Sequence, residues 1–129
     1  MKSIVLFVEG EGEAEAAARF YEALGLRFQR HAHGSGPEHY ASDDPGCLLE
    51  IYPLRPDEPP TTSTRLGFQV ASIAQTLPAL LAAGGQLLSV PQPSPWGQRA
   101  ILKDPAGHRV ELTSPVAEQQ TTAETTTVS

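Results

Sequence analysis

Trp96-Gly97-Gln98-Arg99-Ala100-Ile101-Leu102-Lys103-Asp104-Pro105-Ala106-Gly107-His108-Arg109-Val110-Glu111-Leu112 reads as strand, tight turn, strand. Asp104-Pro105-Ala106-Gly107 has the composition of a reversal: the Asp side chain bonds backbone ahead of it, Pro fixes φ at the second position, and Gly permits the turn. Two strands therefore meet in a hairpin. Beyond the turn, Arg109, Glu111 and Thr113 share one face and Val110 and Leu112 the other, because strand side chains alternate. An ionisable Glu111 among strand hydrophobics, aimed at the concave side of a sheet, is the first sign of a site.

Upstream of this hairpin, Thr64 to Ala71 reads as a strand with Leu66, Phe68 and Val70 on one face and Arg65, Gly67 and Gln69 on the other. Ser72 to Ala83 reads as a helix: Ser72 and Gln75 form a capping-box pattern, Ile73, Leu77, Leu80 and Leu81 form the apolar stripe, and Gly84-Gly85 stops it. Pro78 lies past its first turn and predicts a loosened or kinked start. Gln86 to Val90 adds a strand, Pro91 to Trp96 a Pro-rich loop, and Gln98 to Lys103 and His108 to Thr113 the two strands of the hairpin.

The N-terminal half gives the same order. Lys2 to Val8 reads as a strand with apolar residues on both faces, so cover on both sides is expected. Glu13 to Leu24 reads as a helix with Ala16, Ala17, Phe20, Ala23 and Leu24 inward and Gly25 at its end. Three strands follow, Arg27 to His33, Glu38 to Ser42 and Cys47 to Leu54, joined through Gly34-Ser35-Gly36-Pro37 and Asp43-Asp44-Pro45-Gly46. In the third, Leu48, Glu50 and Tyr52 share a face, so Glu50 sits opposite an apolar one as Glu111 does. Roughly 40 residues separate Val8 from Glu50, and roughly 40 separate Val70 from Glu111, which marks an internal duplication. The expected organisation is one domain over 1–115, with a first module at 1–54, a proline-rich linker at 55–63 and a second module at 64–115. Val116 to Ser129, rich in Glu, Gln and Thr, reads as a flexible tail or an added strand on a neighbour.

Composition narrows the function classes. The net charge is −6 and the nine Lys and Arg are scattered, which disfavours a nucleic-acid partner. It would suit a cationic ligand, although solubility alone explains an acidic chain. No run approaches the roughly 18 apolar residues that a membrane span needs, nor does the N-terminus read as a signal peptide, so no membrane partner is expected. The single cysteine, Cys47, excludes an intrachain disulfide, suits a reducing, cytoplasmic setting, and reads as a small core residue.

The doubled βαβββ unit, the helix end Arg19-Phe20-Tyr21-Glu22-Ala23-Leu24-Gly25-Leu26, and Trp96-Gly97 followed by Asp104-Pro105-Ala106-Gly107-His108-Arg109-Val110-Glu111-Leu112 together resemble the vicinal oxygen chelate superfamily. Its members include glyoxalase I, extradiol dioxygenases, fosfomycin-resistance enzymes and bleomycin-resistance proteins. The resemblance covers about residues 2 to 115 and implies an α+β fold, two βαβββ modules forming a half-open barrel. It implies four metal-ligand positions, at Ser3, Glu50, Arg65 and Glu111, of which only the two glutamates match the family pattern. Ser is a feeble neutral ligand, and Arg, protonated and without a free lone pair, cannot coordinate. Arg65 is expected instead as the counter-ion of Glu50 or Glu111.

The leading expectation is a metal-free small-molecule binding protein of the bleomycin-resistance type: no cofactor, and a ligand sequestered in the cleft of a homodimer. Glu50, Arg65, Glu111, Trp96, Phe7, Tyr52 and Gln69 are its candidate binding residues, with Leu48 facing the same concavity. Trp96 is read as a pocket wall, with ordinary packing as the competing reading. The alternative is a metal-dependent lyase or dioxygenase in which Glu50 and Glu111 hold a divalent metal and one acts as base. A third reading is a purely structural or regulatory module whose cavity is closed by the Glu–Arg pair. His31, His33, His39 and His108 are read as structural or solvent-exposed rather than as ligands.

Overall fold

Two chain segments of similar pattern build two similar units. The computed structural model describes residues 1–32, 36–43 and 46–115. In order these form β1 (Ser3–Val8), α1 (Glu11–Glu22), β2 (Phe28–His31), β3 (His39–Ser42), β4 (Leu48–Pro53), β5 (Arg65–Gln69), α2 (Ile73–Ala82), β6 (Gln86–Ser94), β7 (Gly97–Lys103) and β8 (Arg109–Ser114). The sheets run β1-β4-β3-β2 and β5-β8-β7-β6. In each, the helix carries the chain back across the sheet, so the strand before it lies parallel to the last one; the other neighbours are antiparallel. The α+β class and the doubled βαβββ order are as expected, and no strand pairing closes the two sheets into one barrel.

Local chemistry explains the helix ends. Glu11 and Glu13 lie in the first turn of α1, where they complement the macrodipole, and Gly25 after it takes φ of 102°. At α2 the Ser72 hydroxyl accepts the Gln75 N–H at 3.2 Å, the cap that the sequence predicts. The helix runs through Pro78, which is exposed and has no backbone N–H to place.

The core is a single cluster drawn from both units. Leu6 and Val8 of β1 and Leu49 and Ile51 of β4 meet α1, and the same cluster continues into Ile73, Leu80, Ala100, Leu102, Val110 and Leu112. Phe20 and Tyr21 of α1 reach furthest across: the Tyr21 ring lies 5.8 Å from that of Phe68 on β5. Because each sheet buries one face in this common core, its opposite face points away from it. For β1 that face is only partly covered, with Ser3 exposed and Val5 and Phe7 half-buried, so the strand is not sheathed on both sides.

Three local expectations need correction. The strand expected over Gln86 to Val90 continues to Ser94, because β6 is an edge strand where Pro91 and Pro93 need donate nothing, and its register shifts absorb them. Trp96 therefore sits in the β6–β7 turn, 78% exposed, rather than in a Pro-rich loop. Cys47 is exposed rather than core, since it precedes β4 beyond the Ser3–Leu48 register. His33, positions 34–35 and 44–45, and the tail at 116–129 lie outside the described residues. No described helix is long and apolar enough to cross a membrane.

Candidate functional site

Strand register assembles a row of rings on the outward face of the first sheet. Phe7 pairs with Tyr52 and His31 with His39, and the neighbouring pairs Tyr40–Ile51 and Ala41–Glu50 bring His39 opposite Tyr52. One line thus crosses all four strands: Phe7, Tyr52, His39, His31. Its rings are stacked or tilted. Phe7 and Tyr52 are 6.0 Å apart at 41°, Tyr52 and His39 4.1 Å apart at 6°, and His39 and His31 5.7 Å apart at 28°. The next row is Val5, Glu50, Ala41 and Gln29. Small neighbours leave the Glu50 carboxylate room, and it helps line a cavity of about 350 Å³ with Gln29, His31, His39, Ala41 and Leu48. Burial, and then the Glu50 charge, push the Tyr52 phenol above its ordinary value.

The outward face of the second sheet is charged. Arg65, Gly67 and Gln69 lie beside Arg109, Glu111 and Thr113, and these beside Lys103, Ile101 and Arg99. Glu111 makes an ion pair with Arg99, both side chains being half-buried. Arg65 is therefore not its counter-ion. Alternation alone could not choose between Arg65 and Arg99, each one diagonal step from Glu111; Arg99 makes the pair, and Arg65 faces Arg109. Opposite Glu111 stands Gly67, whose missing side chain leaves the carboxylate open: an added Cβ would lie 3.8 Å from its Oε1.

Glu50 lies on the face of the first sheet turned away from the core and Glu111 on the corresponding face of the second, each where alternation places it. Phe7 and Tyr52 belong to the face of Glu50, Gln69 and Arg65 to that of Glu111, and Trp96 to the β6–β7 turn. The four positions that the family resemblance assigns to a metal supply a hydroxyl, two carboxylates and a guanidinium. Glu111 is already neutralised by Arg99, and among the described residues no group of three or more His, Cys, Asp or Glu converges on a point. This donor set does not fit a divalent metal.

A buried polar network joins the two units, and of its members the sequence reading reached only the turn residues Asp104 and His108. Asp104 Oδ1 accepts the N–H groups of Ala106 and His108 at 2.8 and 2.9 Å, while Oδ2 accepts the Tyr21 hydroxyl at 2.7 Å and meets His108 Nδ1 at 3.1 Å. With its proton on Nδ1, facing the carboxylate, the imidazole takes the Thr61 hydroxyl hydrogen on Nε2, 2.7 Å away. Thr61 in turn accepts the Phe7 N–H at 2.9 Å. Burial pushes the Asp104 carboxyl up, but the hydrogen bonds from His108 and Tyr21 outweigh it and hold it below 3.8. Burial and the Asp104 charge push the Tyr21 phenol well above 10.0. His108 thus has the structural role expected of it.

Comparison with known proteins agrees with this architecture. The profile of the Glyoxalase/Bleomycin resistance protein/Dioxygenase superfamily matches residues 4–112. A glyoxalase-related enzyme from Fulvimarina pelagi is 26% identical, with a TM-score of 0.67 over 87% of this chain and 85% of that one. A glyoxalase/bleomycin resistance protein from Albidiferax ferrireducens T118 is 21% identical, with a TM-score of 0.65 over 87% and 95%. TnmS3, an antibiotic binding protein from Streptomyces sp. CB03234, is 20% identical, with a TM-score of 0.61 over 89% and 96%. None of the curated protein sequences matches the chain.

Proposed function

Since the chain belongs to the glyoxalase/bleomycin resistance protein/dioxygenase superfamily, we propose that it is a metal-free small-molecule binding protein, cytoplasmic, which sequesters a flat ligand between two copies of itself. The observation that carries this reading is the row Phe7, Tyr52, His39, His31, with Glu50 in the row beside it. Stacked on one another, the rings present their edges and the outer faces of the row's ends, Phe7 and His31, to a ligand, and an adjacent carboxylate selects one with a cationic or hydrogen-bond-donating edge. Glu50, Phe7 and Tyr52 come from one copy. The sheet carrying Glu111, Arg65 and Gln69, with Trp96 at its turn, comes from the other and closes the cleft. That a structural relative is an antibiotic binding protein supports an antibiotic as the ligand class.

A metal-dependent lyase or dioxygenase would need donors that Ser3 and Arg65 do not supply. The test is fluorescence titration of protein purified without chelator against planar aromatic antibiotics. Tyr52→Ala and Glu50→Gln should each weaken binding about tenfold, the loss of one stacking or charge-assisted contact. Affinity unchanged in both variants, or stoichiometric divalent metal bound through Glu50 and Glu111, would overturn the reading.

A further inference from the structure

We propose that Arg65, Arg109 and Lys103 form a binding site for the phosphate or pyrophosphate group of a small molecule. Arg65 lies directly opposite Arg109, and Lys103 directly opposite Arg109 from the other side, so three cations stand shoulder to shoulder across β5, β8 and β7. Like charges placed directly opposite in a sheet repel and lower stability. This occurs in a chain with fifteen Asp and Glu against nine Lys and Arg. Every other arginine is paired with a carboxylate: Arg19 with Glu15 and Glu22, Arg27 with Asp43, Arg30 with Glu38, Arg55 with Glu58, Arg99 with Glu111. Among the described residues Arg65, Arg109 and Lys103 have no such partner. Repulsion that the fold tolerates and no carboxylate relieves is the signature of a row waiting for an external anion.

The surroundings specify which anion. Arg65, Arg109 and Lys103 line a cavity of about 620 Å³ together with Thr62, Ser63 and Gly107. Every side chain in that lining that forms hydrogen bonds can donate, and none is a carboxylate, so the complementary ligand group accepts on all sides and carries more than one negative charge. A phosphate ester or a pyrophosphate meets both conditions. The wall is also stiff: Gly107 and Thr62 adjoin the buried Asp104–His108–Thr61 network, and a Cβ on Gly107 would come within 3.2 Å of Thr62 Cγ2. All six lining residues come from one chain; Arg65 also belongs to the face that the proposed cleft uses, so pyrophosphate binding retained in Tyr52→Ala distinguishes the two sites.

Calorimetric titration with sodium pyrophosphate, at low and at physiological ionic strength, tests it. The expected result is one pyrophosphate per chain, about tenfold weaker binding in Arg109→Gln and a larger loss in the Lys103→Gln/Arg109→Gln pair, with affinity intact in Tyr52→Ala. The paired variant should melt no lower than the parent, because a repulsion has been removed. In the parent, pyrophosphate should shift the amide resonances of Thr62, Ser63 and Gly107, a readout that needs no variant. Glucose 6-phosphate in place of pyrophosphate tells a phosphorylated metabolite from a free polyphosphate, and binding of either supports the site. Absence of heat with millimolar pyrophosphate overturns the proposal. So does equal affinity in the paired variant, tighter binding of citrate than of either phosphate compound, or a variant that changes only the mass in sedimentation, which would assign the row to acids of a second chain.

Discussion

A carboxylate that is 3% exposed and still ionised has to be surrounded by donors, and Asp104 is: two backbone N–H groups, one phenol and one imidazole N–H. Asp104→Asn keeps the shape but replaces one acceptor oxygen by a donor that meets two donors. The expected cost is about 2–3 kcal/mol, read from urea unfolding. The pH dependence has a defined sign. The folded-state value lies below 3.8, so the ionised form is favoured by folding; the stabilisation is complete above the ordinary carboxylate range and is lost as pH falls through the lowered value. The parent should therefore lose stability below about pH 4 with a component that Asp104→Asn lacks. Of this network the sequence makes only the turn legible. Asp-Pro-x-Gly announces a reversal, but Tyr21 arrives from 83 positions away and Thr61 from 47 positions before His108, and no local pattern carries such separations.

At the level of elements, periodicity locates both helices and all eight strands, and errors concentrate where a neighbour decides. The stripe expected on the first helix includes Phe20 but omits Ala14 and Tyr21, which α1 buries because it touches the second unit as well as its own sheet. The same contact explains Gly85, which reads as a helix stop. Its backbone needs no special φ; the constraint is space. A Cβ there would lie 2.6 Å from the Phe20 ring and 2.8 Å from the Leu80 carbonyl oxygen. Gly85→Ala must displace a buried aromatic ring and a backbone group together, so we expect roughly 1–3 kcal/mol of destabilisation, although alanine is better than glycine in the interior of a helix or strand. A thermal midpoint equal to the parent's would mean that α1 and the α2–β6 junction are looser than these distances require. Edge position likewise decides β6: two prolines end a strand on paper, yet at a sheet margin they cost no ladder bond.

Across the whole molecule, the two units pack through the faces that carry their helices, and the polar faces are left on the outside. Alternation is enough to put Glu50 and Glu111 on those faces, but it cannot say whether two faces of one chain meet, because that depends on how modules dock. The proposed cleft brings the two faces together across an interface between copies. The apolar surface left uncovered fits this requirement: Leu48 on β4, Leu88 and Val90 on the edge strand β6, and Trp96 beside it are 40–78% exposed. Scattered singly such residues mean little, but of the six large apolar side chains exposed among the described residues, Leu88, Val90 and Trp96 lie along one sheet margin. We therefore expect sedimentation to give twice the 13.8 kDa chain mass, and the pair Val90→Glu and Trp96→Glu to shift the population toward single chains with an unchanged circular dichroism spectrum, since both side chains lie outside the core. A stable dimer of ordinary size buries about 800 Å² per partner, so two carboxylates introduced into such a patch should weaken association at least a hundredfold. The same variant should lose affinity for planar aromatic ligands while keeping that for pyrophosphate, because only the first of these sites draws on both copies. A parent protein that sediments as one chain at all concentrations, and still binds the planar ligand, would place that ligand on the first sheet alone.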